Sequence, residues 1–149
     1  VTGEWSEQRL DGLPLWTLVR ASHLVGQDFG QLFARHRLSP VQFGVLAQLA
    51  AAPGLTQTEL ARRVLVRPQS MAELIGGLVE RGLLVREGPG GRGRPVPLGL
   101  TDDGLALLRA AERDVVEFNS PGALGLTAAE AGQLNALLHR VIATRRPGA

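Results

Sequence analysis

Residues 56–94 read TQTELARRVLVRPQSMAELIGGLVERGLLVREGPGGRGR, and this stretch decides the fold. Its first four residues, Thr56-Gln57-Thr58-Glu59, form a capping box. The threonine hydroxyl accepts from the backbone three residues on, and the glutamate reaches back to the threonine N–H. A short helix is predicted through Leu60, Ala61 and Val64. After Leu65-Val66-Arg67, Pro68 suits the first position of a second helix, where its missing N–H is not needed. Met71, Leu74, Ile75 and Leu78 recur at helical spacing, and Gly82 is placed to end the run. Two helices joined by a short turn, the second the longer, make a helix-turn-helix.

β-structure follows. Leu83-Leu84-Val85-Arg86-Glu87 is short, apolar-rich and free of breakers, so it reads as a strand. Gly88 to Arg94 has neither periodicity and reads as a loop. Val96, Leu98 and Leu100 alternate in a second strand, which Pro95 and Pro97 confine to an edge because neither has a ladder donor. A basic, glycine-rich hairpin directly after a helix-turn-helix is a wing.

Working outward, Thr101-Asp102-Asp103 caps a helix carrying Leu105, Leu108, Ala111, Val115 and Phe118, which residues 119–122 break. Thr127 and Glu130 form another capping box, ahead of Leu134, Leu137, Leu138, Val141 and Ile142. Residues 145–149 read as a frayed tail. Upstream, Ser39-Pro40-Val41-Gln42 starts a helix with Val45, Leu46 and Leu49 inward, and Ala52-Pro53-Gly54 stops it. Before that, a helix opens at Asp11-Gly12-Leu13-Pro14 and runs to about His36, with Leu15, Leu18, Val25, Phe29 and Leu32 on one face and Trp16, Val19 and His23 beside it. A long helix with two apolar faces implies a partner. The whole is mainly α with a small β-hairpin wing (α+β), one domain over residues 1–149.

The chain has 149 residues, 44% hydrophobic and 20% charged, so it can bury a core without a metal or disulfide staple. It has no cysteine, which excludes a thiol nucleophile, a thiol-based peroxide sensor and any cysteine-ligated metal. Net charge is only +2, yet residues 61–100 hold seven arginines against three acids. One basic block in an otherwise slightly acidic chain is what a single face meeting a polyanion requires. There is no lysine, a choice that a GC-rich genome explains. No apolar run is long enough for a membrane helix, and the start is acidic where a signal peptide is basic, so a cytoplasmic protein without membrane contact is expected.

Three stretches in this order and spacing, Leu55 to Ala61, Leu78 to Leu84 and Leu98 to Gly104, make the chain resemble the MarR family of bacterial transcription regulators over nearly its whole length. The resemblance implies a homodimer in which the first and last helices interlock and each winged helix reads half of a palindrome. Here residues 10–36 and 103–146 would be the dimerisation helices, and residues 39–101 the winged helix-turn-helix. It also implies a repressor that releases DNA when a small, aromatic or anionic effector wedges between those parts. Trp16, Val19, His23, Phe43 and Leu46 would line that site, with Arg20 as the anion partner, although the same residues make an ordinary hydrophobic core. Two positions depart from the family's pattern. Leu65 stands where the turn usually has a glycine, so the turn is expected to be built differently and the recognition helix tilted. Arg92 and Gly93, with Arg94 next, stand where an aspartate-arginine pair usually braces the wing, so the wing is expected to be mobile until DNA orders it.

Duplex chemistry then assigns the residues. A helix in the major groove reads bases with its N-terminal residues, while neighbours and wing hold phosphates. Gln69 suits an adenine edge, Arg67 a guanine or a phosphate, and Glu73 a cytosine amine, with Ser70 beside them. Thr56, Gln57 and Thr58 suit phosphate oxygens, and Arg92 and Arg94 suit a narrow minor groove. For at least one of Arg62 and Arg63 a solvated face is expected.

Other chemistries fit poorly. Gly88 to Gly93 matches G-x-G-x-x-G literally, but a dinucleotide loop must open a helix, which Pro95 and Pro97 forbid. His23, His36 and His139 lie far apart, with no carboxylate pair or serine elbow near them. No catalytic residue, metal site or cofactor is therefore assigned. A constitutive DNA binder, or a winged-helix protein serving protein contacts without ligand response, stays open.

Overall fold

The computed structural model describes residues 3–90 and 93–146 and divides the chain into two compact units, residues 1–40 and 41–149. In the first unit, helix α1 (Glu7–Asp11) is a single turn whose Ser6 hydroxyl accepts from the Arg9 N–H at 3.1 Å. No apolar period announces so short an element, and the sequence reading had no helix there. Helix α2 (Pro14–Ala34) begins with Pro14 at its first position and is about 32 Å long at 1.5 Å per residue. It ends two residues before the expected His36, where Arg37 takes a left-handed φ of 55° and the Leu38 N–H returns to the Phe33 carbonyl at 3.0 Å. Of its 21 residues it buries just Leu32 and Phe33.

Helix α3 (Pro40–Ala51), all but its first residue in the second unit, buries Val45, Leu46 and Leu49. Helix α4 (Gln57–Arg63) starts on the predicted capping box, with both bonds between Thr56 and Glu59 formed. Helix α5 (Pro68–Glu80) follows, its Met71, Ile75 and Leu78 fully buried and its end marked by Gly82 at φ 73°. Strands β1 (Leu84–Arg86) and β2 (Leu98–Leu100) pair antiparallel, with Leu84 opposite Leu100 and Arg86 opposite Leu98. Both strands are shorter than predicted, because Pro95 and Pro97 leave residues 95–97 irregular. Helix α6 (Asp102–Phe118) is capped by Thr101. A four-residue helix α7 (Pro121–Leu124), capped by Ser120, occupies the predicted break, and α8 (Ala128–Arg145) follows on the Thr127–Glu130 box.

The turn between α4 and α5 resolves the expectation about Leu65. Leu65 adopts φ 58°, and the Val66 N–H bonds back to the Ala61 carbonyl at 3.0 Å. This is the same helix ending as at Gly82, where the Leu83 N–H bonds to the Leu78 carbonyl at 3.0 Å. The turn is thus built in the glycine-type backbone, with a side chain that bears the strain.

The three stretches that carry the resemblance meet. The Thr101 hydroxyl donates to the Gly82 carbonyl at 2.6 Å, and the Thr101 N–H bonds to the Leu83 carbonyl at 3.2 Å. A Cβ at Gly104 would overlap that same Leu83 carbonyl, so the start of α6 lies too close to β1 for any side chain. On the far side of β2, Gly54 donates to the Leu98 carbonyl at 3.2 Å and Leu98 to the Leu55 carbonyl at 3.0 Å. The wing is therefore tied on one side to the chain entering α4 and on the other to α6.

Candidate nucleic-acid interface

Helix α5 divides its residues cleanly. Met71, Ile75 and Leu78 have no exposed surface, whereas Arg67, Gln69, Ser70 and Glu73 are exposed. The 3.6-residue period places the exposed set together on the outer side of the first two turns. Arg67 is the N-cap residue, with no side-chain cap bond and no acid in the first turn, so the positive end of α5 is uncompensated by its own side chains. Among the described residues, none of Arg67, Gln69, Ser70 and Glu73 is engaged in a side-chain hydrogen bond or ion pair.

Helix α4 presents Thr56, Gln57 and Thr58 at its start, but not freely. Glu59 accepts from the Thr56 N–H at 2.8 Å, and the Thr56 hydroxyl accepts from the Glu59 N–H at 3.3 Å. These bonds to Thr56, backbone first, hold the Glu59 carboxyl below its ordinary pKa, with Arg62 and Arg63 adding to the effect. Arg63 donates to the Gln48 side chain at 3.2 Å, so its guanidinium is committed to α3, while Arg62 is exposed.

Between α4 and the wing lies a cleft of about 240 Å³ lined by Thr56, Gln57, Thr58, Arg86, Arg94, Pro95, Val96 and Leu98. Arg94 thus shares a cleft with the start of α4. Arg92 lies outside the described residues. Arg86, which the sequence reading did not single out, shares the face of Leu84 and Leu98 by strand alternation and lines the same cleft.

Of the six residues considered for an effector, Trp16, Val19, Arg20 and His23 belong to the first unit and Phe43 and Leu46 to the second. Trp16 and Arg20 line a cavity of about 410 Å³ with Glu7, Leu10 and Asp11 in the first unit. There Arg20 is paired with Asp11 at 2.9 Å, both side chains being largely exposed. Val19 is exposed on the same helix, and His23 stands 3.3 Å from the Gln27 amide nitrogen. In the second unit, Phe43 lines an apolar groove of about 470 Å³ between α3 and α6, with Ala47, Leu105, Leu108 and Arg109. Leu46 is fully buried and belongs to the core.

A helix-turn-helix whose second helix keeps a bare polar face, followed by a short wing packed back onto it, is a winged helix. Comparison with known proteins places it more closely. A model of the MarR family matches residues 37–95. The chain is 29% identical over 132 residues to the HTH-type transcriptional repressor Rv2887 of Mycobacterium tuberculosis, spanning 88% of this chain and 95% of that protein. A structure of Rv2887 in complex with salicylic acid superposes with a TM-score of 0.67 at 27% identity, covering 87% and 96% of the two chains. The transcriptional repressor CouR, bound to a 23-mer DNA duplex, is 33% identical over 97% of this chain and all of its own, with a TM-score of 0.76. The regulator PcaV of Streptomyces coelicolor, in complex with its natural ligand, gives 28% identity and a TM-score of 0.76 over 95% and 97%. The chain belongs to the MarR family of transcription regulators.

Proposed function

We propose that the protein is a homodimeric repressor that binds a palindromic operator, one winged helix to each half-site, and is released by a small aromatic or anionic effector. The observation that carries the reading is the first two turns of α5. They are packed from behind by Met71, Ile75 and Leu78 and, among the described residues, bare of partners in front, at Arg67, Gln69, Ser70 and Glu73. In the major groove, Gln69 reads an adenine edge, Glu73 accepts from a cytosine amine, and Arg67 and Ser70 take a guanine or a phosphate. Thr56, Gln57 and Thr58 lie along the flanking phosphates. The likeness over the whole chain to CouR, a repressor bound to DNA, supports this docking.

Residues 39–101 form the reading unit, and residues 10–36 and 103–146 supply the faces that a second copy covers. Trp16, Val19, Leu134, Leu137 and Ile142 are all large, apolar and exposed on the long helices, and such faces call for an apolar partner. Effector release draws support from the complexes of Rv2887 with salicylic acid and PcaV with its natural ligand. The chain acts on DNA rather than as an enzyme, and so in the cytoplasm of a bacterium. No helix among the described residues is long and apolar enough to cross a membrane.

The test is fluorescence anisotropy of the purified protein on the DNA upstream of its own gene, against a scrambled duplex, at several salt concentrations. Preference for the upstream DNA with a steep fall in salt is expected. Equal, weak binding to both would overturn the sequence-specific reading and favour a protein-contact role. Adding salicylate to the bound complex is expected to lower its affinity.

A further inference from the structure

We propose that Gly76 and Gly77 let a DNA duplex come against the main chain of α5 at its third turn, so that the pair sets how deep this helix lies in the major groove. The inference rests on the DNA-binding reading above and adds to it what α5 leaves out along its outer face.

By the needs of the chain alone, glycine is a poor choice at both positions. The two are consecutive and lie inside the 13-residue helix Pro68–Glu80, where glycine is the least favourable residue after proline. Neither takes a positive φ, so the backbone does not call for glycine. Nor does packing, since a Cβ at either position would meet nothing within 4 Å. Gly104 is the contrast: there a Cβ would overlap the Leu83 carbonyl, and the fold itself demands glycine. Alanine would fit at positions 76 and 77 and would make a more stable helix. Whatever gains from the missing side chains therefore lies outside the chain.

The helical period says what that is. At 3.6 residues per turn, Gly76 and Gly77 fall on the side of Gln69, Ser70 and Glu73, away from the fully buried Met71, Ile75 and Leu78. One face thus carries polar side chains over its first two turns, free of partners among the described residues, and bare main chain on the third. A helix that presents its N-terminal residues to base edges carries its later turns past the sugar-phosphate walls of the groove. A side chain there holds the wall away from the helix. Two adjacent glycines remove that spacer, and close approach of backbone to a ligand is what glycine permits.

The experiment compares the full chain as wild type, Gly76→Ala, Gly77→Ala and Gly77→Leu. Binding is read by anisotropy on an upstream duplex that wild type prefers and on a scrambled one, with thermal unfolding measured beside it. Each alanine is expected to raise the melting temperature by about 2–4 °C, because it favours the helix. Each should nevertheless weaken binding to the preferred duplex about tenfold, the scale of a methyl group forced into a close-packed contact. A variant that melts higher and binds worse has lost a contact and not its fold. Leucine has nearly the helix propensity of alanine, so stiffening of α5 would cost the same with either, whereas bulk costs more with leucine. Gly77→Leu is therefore expected to bind the preferred duplex about tenfold more weakly again than Gly77→Ala. On the scrambled duplex, where the helix is not seated in the groove, all four proteins should bind alike. If the alanine variants bind the preferred duplex as tightly as wild type, or if leucine costs no more than alanine, the close approach is wrong. If wild type prefers no upstream duplex at all, the DNA-binding reading fails and the proposal with it, a result distinct from glycines that prove neutral on a preferred duplex.

Discussion

Within the second unit, the winged module and the C-terminal helix treat their apolar residues in opposite ways. Val45, Leu46, Leu60, Met71, Ile75 and Leu78 have no exposed surface, and each comes from a helix of the module. Helix α8, at 18 residues longer than any of those helices, buries none. Its Leu137 is 54% exposed and its Ile142 47%. Helix α2 of the first unit behaves like α8, with Trp16 and Val19 exposed. The module has satisfied its hydrophobic requirement within the chain. The long helices are folded but incomplete, and burial at about 25 cal/mol per Å² rewards whatever covers them.

The largest change that would break the module is Gly104→Ala. The added Cβ overlaps the Leu83 carbonyl, which is main chain held by Thr101 and cannot turn aside as a side chain would. Either α6 lifts from β1 or the Thr101 bonds to Gly82 and Leu83 are lost. A destabilisation of about 3 kcal/mol is expected, the upper range for overpacking, and it is read from thermal or urea unfolding. A loss under 1 kcal/mol would mean that α6 and β1 are less closely set.

Leu137→Asp attacks the other side of the comparison. A charge in the middle of a face that a second copy covers should weaken dimerisation by about 2 kcal/mol, roughly thirtyfold in the dimer Kd. Sedimentation equilibrium at micromolar concentration should then show monomer where wild type shows dimer, with helical content retained. A variant as dimeric as wild type would remove α8 from the interface. Operator affinity should fall with the dimer, since one half-site contributes far less than two.

The contrast between module and long helices also governs what could be read from the sequence. Capping boxes at Thr56 and Thr127, the proline starts of α2, α3 and α5, and the glycine stop at Gly82 are local signals, and each element formed where they stand. Helices α1 and α7, of five and four residues, were missed because a single turn has no apolar period to detect. At α7 the Ser120-Pro121 start and Gly125 stop were present, but the stretch reads equally as a breaker. The pairing of residues 54–55 with Leu98 is tertiary and left no trace in either segment alone. That pairing brings the chain entering α4 against β2, a neighbour of the wing that neither segment announces. The pairing of Arg20 with Asp11, nine residues away in the preceding element, was likewise not legible from either segment alone.

Leu65 is where a local expectation and the backbone diverge most sharply. Missing a glycine, the turn was expected to be built another way, yet it keeps the left-handed conformation at φ 58°. That conformation brings Cβ toward the following carbonyl and costs a non-glycine residue roughly 1–2 kcal/mol. The bonds that hold it are those of the α4 ending, Val64 to Leu60 and Val66 to Ala61, both 3.0 Å. Leu65 is 49% exposed, so its side chain offsets only part of the strain through burial. Comparing Leu65→Gly with Leu65→Ala removes that burial from both variants and leaves the backbone as the difference. In a helix interior, alanine is the more stable of the two by about 1 kcal/mol. At position 65 the order should reverse, with the glycine variant melting higher by a margin of about 1 kcal/mol. If alanine proves equal or better, the turn is not in the left-handed region. Should the reversal appear, Leu65→Gly would also tell what the strain does: unchanged operator affinity in the stabilised variant would mean that the leucine sets stability alone and leaves the pitch of α5 untouched.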